Sequence, residues 1–284
     1  MDTETPNPTN VEQPSAAPEA PKQSESKIKK FIPLMMVGAG LLVIAVVIAL
    51  VAFATMGVSK KDYNEAVMQY NAVSRGNTLL GTQMTSLGLV SNGTDETFDN
   101  TANKVDATIE SIKVDNEALG KLKAVRKGDG VELYKTFDDK LKTYLQYGSD
   151  LVVSIKIARP AILTCDNSAK ITEQNARIAA LKECSSQLGA LKPMPNPEFD
   201  GYAKTLQKSY ATYATDYEAI TKLTDPYGAQ YEQYKKLRDE VYAVQADVTK
   251  ANRDYRAAIK KHDDEVSVKS AANALSQYLE KNQR

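Results

Sequence analysis

The chain contains only two cysteines, Cys165 and Cys184, and they are the residues best able to form a covalent bond. A disulfide between them would close a loop of about 20 residues and stabilise the fold by roughly 3 kcal/mol. If one straight helix joined them, their Cα atoms would lie about 28 Å apart, far beyond the roughly 7 Å that a disulfide spans. We therefore predict a disulfide with a chain reversal near residues 172–175. Unpaired or intermolecular thiols remain the alternative.

Tyrosine is unusually frequent, with 15 Tyr against five Phe and no Trp. Eight tyrosines fall close together in the C-terminal part of the chain: Tyr202, Tyr210, Tyr213, Tyr217, Tyr227, Tyr231, Tyr234 and Tyr242. If they were exposed together, they would form an aromatic surface that binds a peptide or a glycan through ring faces and hydroxyls. Several occupy helical seam positions, so we expect them instead to fill a thin bundle core.

Residues for catalysis or metal binding are scarce. The single histidine, His262, excludes a zinc site built on several imidazoles. It precedes acidic residues 263–265, but neighbouring helical residues point in different directions, so we expect solvated helix-end charge. Residues 76–82 have the spacing of a phosphate loop, but Thr82 stands where Lys is required. Residues 95–106 lack the central Gly of an EF-hand loop. We predict no enzyme activity, no cofactor and no metal.

Charge and hydropathy are balanced only on average. The 36 basic residues equal the 36 acidic residues, which argues against a nucleic-acid partner because such proteins normally carry a basic excess. The mean hydropathy of −0.41 is typical of a soluble protein. This average conceals a polar segment and an apolar segment that follow one another at the start of the chain.

Residues 1–30 contain five Pro and almost no apolar residue, so we predict a disordered tail. Residues 31–59 carry no charge and are almost wholly apolar. About 20 such residues suffice to cross the hydrocarbon of a bilayer, so we predict a single transmembrane helix over 31–59. A cleaved signal peptide is the alternative, since residues 52–54 resemble a cleavage site, but its apolar core is usually shorter.

Lysines flank the predicted span on both sides. Four precede it and two follow it: Lys22, Lys27, Lys29, Lys30, Lys60 and Lys61. This bias favours a cytoplasmic N-terminus at the cell membrane. The C-terminal part, residues 60–284, would then be extracytoplasmic, where its cysteines can be oxidised.

Residues 60–284 show the pattern of helices. Apolar residues recur at spacings of three and four, and no stretch alternates as a strand does. Turn or breaker residues divide the region at 91–93, 128–130, Pro160, 193–197 and 225–226. We therefore predict an all-α fold, an elongated antiparallel helical bundle that resembles a coiled coil.

The most regular repeat lies in the helix predicted from Pro226 to about Asp264. Its apolar seam recurs every seven residues at Tyr227, Tyr234, Val241, Val248 and Tyr255. Whether this seam closes within one chain or across a homo-oligomer stays open.

These features predict a single-pass membrane protein that acts as a structural or partner-binding module at the cell surface. Its partners would be the lipid bilayer and either another protein or a second copy of the chain. The alternative is a sensor, in which a small ligand binds between helices and the signal passes through the transmembrane helix. A substrate-holding chaperone or cell-wall adaptor would require an exposed apolar patch.

Overall fold

A computed structural model describes residues 57–90, 93–265 and 268–284 of the chain. These ranges contain seven α-helices, one 3-10 turn at Lys123–Val125 and no strand, which confirms the predicted all-α bundle. The helices are α1 Lys60–Val90, α2 Asp95–Lys121, α3 Gly130–Ser168, α4 Gln174–Gly189, α5 Pro197–Thr221, α6 Tyr231–Glu265 and α7 Val268–Gln283. Residues Val58–Arg284 form one compact unit.

Short polar side chains define where several helices begin. The Thr94 hydroxyl accepts a hydrogen bond from the Thr97 amide and caps α2 at the predicted start. The Asn196 side chain accepts one from the Phe199 amide, and Pro197 follows at the first position of α5. Such caps satisfy amide groups that have no partner within the helix, so local sequence alone specifies these helix starts.

The main core joins α1, α2, α3 and α7. Large buried side chains from all four helices fill it, among them Met84, Ile112, Phe137 and Leu275. Helix α7 runs antiparallel to α1, because Tyr70 donates a hydrogen bond to the Ala272 carbonyl at 2.9 Å and Arg284 at the chain end accepts one from Lys60. The last helix therefore returns to the residues where the bundle begins.

Helices α4 and α5 pack against α3, and α6 packs against α5. A smaller apolar cluster of Leu181, Tyr213, Ala214 and Val244 belongs to α4, α5 and α6 only. Further along α6, Tyr255 and Ile259 enter the main core. Tyr255 packs beside Gly88, close to the end of α1. The 24 residues of α6 before Tyr255, about 36 Å of helix, therefore extend beyond α1.

The prediction that Pro160 ends a helix is wrong, because α3 continues through it to Ser168. A proline inside a helix removes one backbone hydrogen bond and costs about 3 kcal/mol. The turns that follow bury Ile162 and Cys165, and the Thr164 hydroxyl donates to the Pro160 carbonyl at 3.1 Å. Burial of these side chains offsets the loss, so tertiary packing overrides the local signal.

No helix in the described ranges is long and apolar enough to cross a bilayer. The predicted tail, Lys27, Lys29, Lys30 and the predicted span 31–59 lie outside the described residues, except for Gly57 to Ser59. The transmembrane helix therefore remains a prediction. Lys60 and Lys61 are described, and both lie exposed at the first turn of α1.

Candidate partner-binding surface

Cys165 and Cys184 form a disulfide, with Cα atoms 4.8 Å apart. Both side chains are fully buried, and the bond joins α3 to α4. The chain reverses between Ser168 and Gln174, close to where the cysteine spacing required a turn. A buried disulfide between two packed helices has a structural role, since exchange with another thiol requires access to the sulfur atoms.

The predicted core role of the tyrosines is confirmed for only some of them. Tyr202 and Tyr213 are buried, and Tyr202 stacks on Tyr255 with ring centroids 4.9 Å apart. Burial raises the pKa of Tyr202 and of the partly buried Tyr210 to about 12. These hydroxyls therefore stay protonated, and the rings serve as packing groups with a polar tip.

Three tyrosines contradict the core prediction. Tyr227 is 79% exposed, Tyr231 45% and Tyr242 60%. The seven-residue repeat placed Tyr227 in a buried seam, but α6 begins only at Tyr231, so Tyr227 belongs to the preceding loop. Tyr231 and Tyr242 fall outside that repeat, which is the signal that could have identified them as exposed.

The exposed tyrosines share one surface, which we call the tyrosine strip. Tyr231, Lys235, Arg238 and Tyr242 follow the spacing i, i+4, i+7 and i+11, so they lie on one face of α6 over about 16 Å. Tyr227 from the loop extends the strip, because its ring packs against Tyr234 with centroids 5.4 Å apart. The strip thus combines aromatic rings with two basic side chains.

Hydrogen bonds hold the loop that carries Tyr227. The Gln230 side chain accepts from the amides of Thr224 and Asp225, each at 2.9 Å. The Asp225 carboxylate in turn accepts from the Ala229 amide at 2.8 Å. A loop that is already ordered loses less conformational entropy when a partner binds it.

The electrostatics of the strip are mixed. Arg238 donates from Nε and Nη2 to the Asp239 carboxylate, which fixes its guanidinium group. A hydrogen bond with Tyr227 raises the pKa of Tyr234, so that ring is neutral at physiological pH. Fixed guanidinium and neutral phenol groups are typical contact residues of protein interfaces.

His262 differs from the prediction of a solvated charge. Its imidazole stacks on Tyr147 with centroids 3.8 Å apart, and Nδ1 lies 3.5 Å from Glu198 Oε1. The other carboxylate oxygen of Glu198 is buried without a hydrogen-bond partner. These contacts connect the end of α6 to α3 and α5. The side chains of residues 263–265 lie outside the described set.

The described residues contain no group of three His, Cys, Asp or Glu side chains placed to hold a metal ion. Residues 76–82 lie within α1 and residues 95–106 within α2. A continuous helix does not form the loop in which a phosphate or a calcium ion is usually held.

A cleft of about 720 Å³ separates α5 from α6. Small residues form much of its wall, including Gly201, Thr205, Ser209 and Ala251. Tyr202 and Tyr255 line it as well. Charged residues from both helices surround these small side chains: Lys204, Lys208, Asp247, Lys250 and Asp254. The cleft is large enough for a small polar ligand.

Comparison of the chain with protein-family models, with curated proteins and with solved structures finds no match.

Proposed function

We propose that this protein is a membrane-anchored partner-binding module whose helical bundle presents the tyrosine strip to another protein. Residues 31–59 would anchor it with the N-terminus in the cytoplasm and the bundle outside. The observation that carries the proposal is the exposure of Tyr227, Tyr231 and Tyr242 on one surface with Arg238.

Energetics favour a protein partner for this strip. A tyrosine buries about 150–250 Å² when it is fully covered, and its ring loses little conformational entropy because it has few rotatable bonds. Tyrosine and arginine are also the residue types that most often dominate binding energy at interfaces. Three exposed rings beside a fixed guanidinium therefore form a plausible centre for an interface.

The location of the strip agrees with this role. The first 24 residues of α6 extend beyond the end of α1, and α7 returns to the start of α1, where the predicted anchor ends. The strip therefore lies beyond the end of α1 that is opposite to Lys60, where its exposed rings are accessible to a partner. The disulfide agrees with an oxidising extracytoplasmic compartment.

Site-specific photo-crosslinking in intact cells tests the proposal. A photoreactive residue at position 242 should trap a protein in an adduct of one defined mass, and Tyr231→Ala should abolish that adduct. Position 114 is the matched control, because Val114 is 65% exposed on α2, and it should trap nothing. An adduct that persists in Tyr231→Ala, or equal trapping at 114, would contradict the proposal. A mass increment of 31.1 kDa would identify a second copy as the partner.

The cleft between α5 and α6 favours a sensor as the second candidate. Tyr255 lines the cleft and also packs beside Gly88 of α1, the helix that follows the predicted span. A ligand that separated α5 from α6 would therefore act on α1 through Tyr255. Thermal-shift screening of small polar ligands tests this function, since a true ligand raises the Tm with its concentration. The variant Gly201→Leu, which fills the cleft, should remove the shift.

A further inference from the structure

Three segments far apart in sequence meet at the end of the bundle where α1 begins. The hydroxyls of Tyr63 on α1 and Tyr278 on α7 lie 3.1 Å apart. Tyr278 also donates to the Ala124 carbonyl in the turn between α2 and α3, at 3.5 Å. Residues 57–63, 121–130 and 278–284 therefore form one surface, which directly follows the predicted span.

This surface carries a strong excess of positive charge. The three segments contain eight basic and three acidic residues, whereas the rest of 60–284 contains 24 basic and 28 acidic residues. The near neutrality of the whole chain thus conceals a basic end and a slightly acidic remainder. We call this end the basic face; its cations are Lys60, Lys61, Lys121, Lys123, Arg126, Lys127, Lys281 and Arg284.

Packing fixes the backbone that carries these cations. Ala124 and Val125 of the turn are buried in the main core. Gly128 has a φ of +55°, a left-handed conformation that suits glycine, and Gly130 approaches the Ala124 carbonyl too closely for a side chain. The turn is therefore held in one position, and it presents its basic residues on the basic face.

Three cations of the basic face remain available to a partner. Lys61, Lys121 and Arg126 are exposed and make no ion pair within 4.0 Å among the described residues. Two of the three acidic groups are already engaged. The Asp62 carboxylate accepts from the Ser59 amide and hydroxyl, at 2.7 and 2.8 Å, and these bonds lower its pKa. Glu280 accepts from the Ser276 hydroxyl at 2.8 Å.

We propose that the basic face docks on the anionic lipid headgroups of the membrane that holds residues 31–59. The proposal rests on the membrane anchor of the proposed function and adds a second contact with the same bilayer. Residue 60 follows the predicted span directly, so Lys60 and Lys61 would lie within a Debye length of the headgroups. Each lysine or arginine near an anionic surface contributes about 1 kcal/mol, and several act together here.

Lysine acetylation of the full chain in lipid nanodiscs tests the docking. One set of nanodiscs contains phosphatidylcholine alone, and the other also contains phosphatidylglycerol. In the anionic nanodiscs Lys61, Lys121 and Lys281 should react about fivefold more slowly, the equivalent of about 1 kcal/mol. Lys235 and Lys236 on the exposed part of α6 are internal controls and should react equally in both. High salt should remove the protection.

Charge reversal on the turn distinguishes docking from a local fold effect. Lys121→Glu with Arg126→Glu should abolish the protection of Lys281 while the Tm stays unchanged. The matched control, Lys192→Glu with Lys236→Glu, changes two exposed lysines away from the basic face and should retain it. Equal acetylation in both nanodisc types would overturn the docking and leave the anchor intact. Failure of the chain to co-purify with any nanodisc would overturn the anchor and the docking together.

Discussion

Removal of the disulfide should destabilise the bundle by an amount that follows from the length of the loop it closes. Cys165 and Cys184 are separated by 19 positions, so the bond closes a loop of about 20 residues. Constraining such a loop in the unfolded chain is worth about 3 kcal/mol. The compact unit has about 227 residues and an unfolding entropy of about 0.5 kcal/mol/K. Replacing both cysteines by alanine should therefore lower the Tm by about 6 °C.

Thermal unfolding followed by far-UV circular dichroism measures this change on the full chain in detergent. Wild-type protein reduced with a thiol is the control, since it loses the bond but keeps both sulfur atoms in the core. The two samples should show a similar fall in Tm, with a further small fall for the alanine variant because it buries less apolar surface. A reduced wild type within about 2 °C of the oxidised protein would refute the reasoning.

Three further predictions concern charge and packing. Burial beside the Glu240 carboxylate raises the pKa of Asp216, so the charged form of Asp216 destabilises the fold above that pKa. Asp216→Asn should therefore stabilise the protein at neutral pH. Urea unfolding should show that this gain disappears in acid, where Asp216 is protonated. Gly130→Ala would place a Cβ 2.2 Å from a backbone carbonyl oxygen and should lower the free energy of unfolding by at least about 2 kcal/mol. The Cβ of Gly201→Ala in α5 meets nothing within 4 Å, so this variant should raise the free energy of unfolding by up to about 1 kcal/mol. Urea unfolding measures both changes. The buried Arg159 guanidinium donates hydrogen bonds to the Asp95 carboxylate and the Gly93 carbonyl at the start of α2. Arg159→Met should therefore lower the free energy of unfolding by about 1–3 kcal/mol and speed hydrogen exchange in the first turns of α2.

The helices and most of their buried faces follow from the sequence alone. Apolar residues that recur at helical spacings in α1 and α2, such as Val73, Leu80, Val105 and Ile109, are buried in the main core. The spacing of apolar residues and the chemistry of local turns act over a few residues, so a single chain segment is enough to define each helix and its apolar face.

The most regular repeat was the poorest guide to burial. Among the described side chains of α6 only Val244, Tyr255 and Ile259 are buried, although the repeat continues over four heptads. The reason is that the first half of α6 packs mainly against α5, with Leu181 of α4 in the same apolar cluster, so much of its circumference stays exposed. A repeat predicts which face is apolar, but the number of neighbouring helices decides how much of it is covered.

The cysteine spacing predicted a chain reversal, and the pairing of Cys165 with Cys184 confirms it. That prediction succeeded because a disulfide imposes a distance limit that a straight helix cannot meet. The location of the functional surfaces could not be obtained in the same way. Tyr227 and Tyr231 are neighbours of Tyr234 in sequence, yet their exposure depends on where α6 begins and on what packs against it.

The sequence by itself determined the class of the fold, the starts of α2 and α5, the scarcity of catalytic groups and the requirement for a turn between the cysteines. The tertiary structure alone decided that α3 passes through Pro160, that three tyrosines reach solvent and that eight cations gather at one end. The physical reason is the range of the interactions. Capping and periodicity act within one or two helical turns, whereas burial and surface charge depend on side chains that the fold brings together from distant parts of the chain.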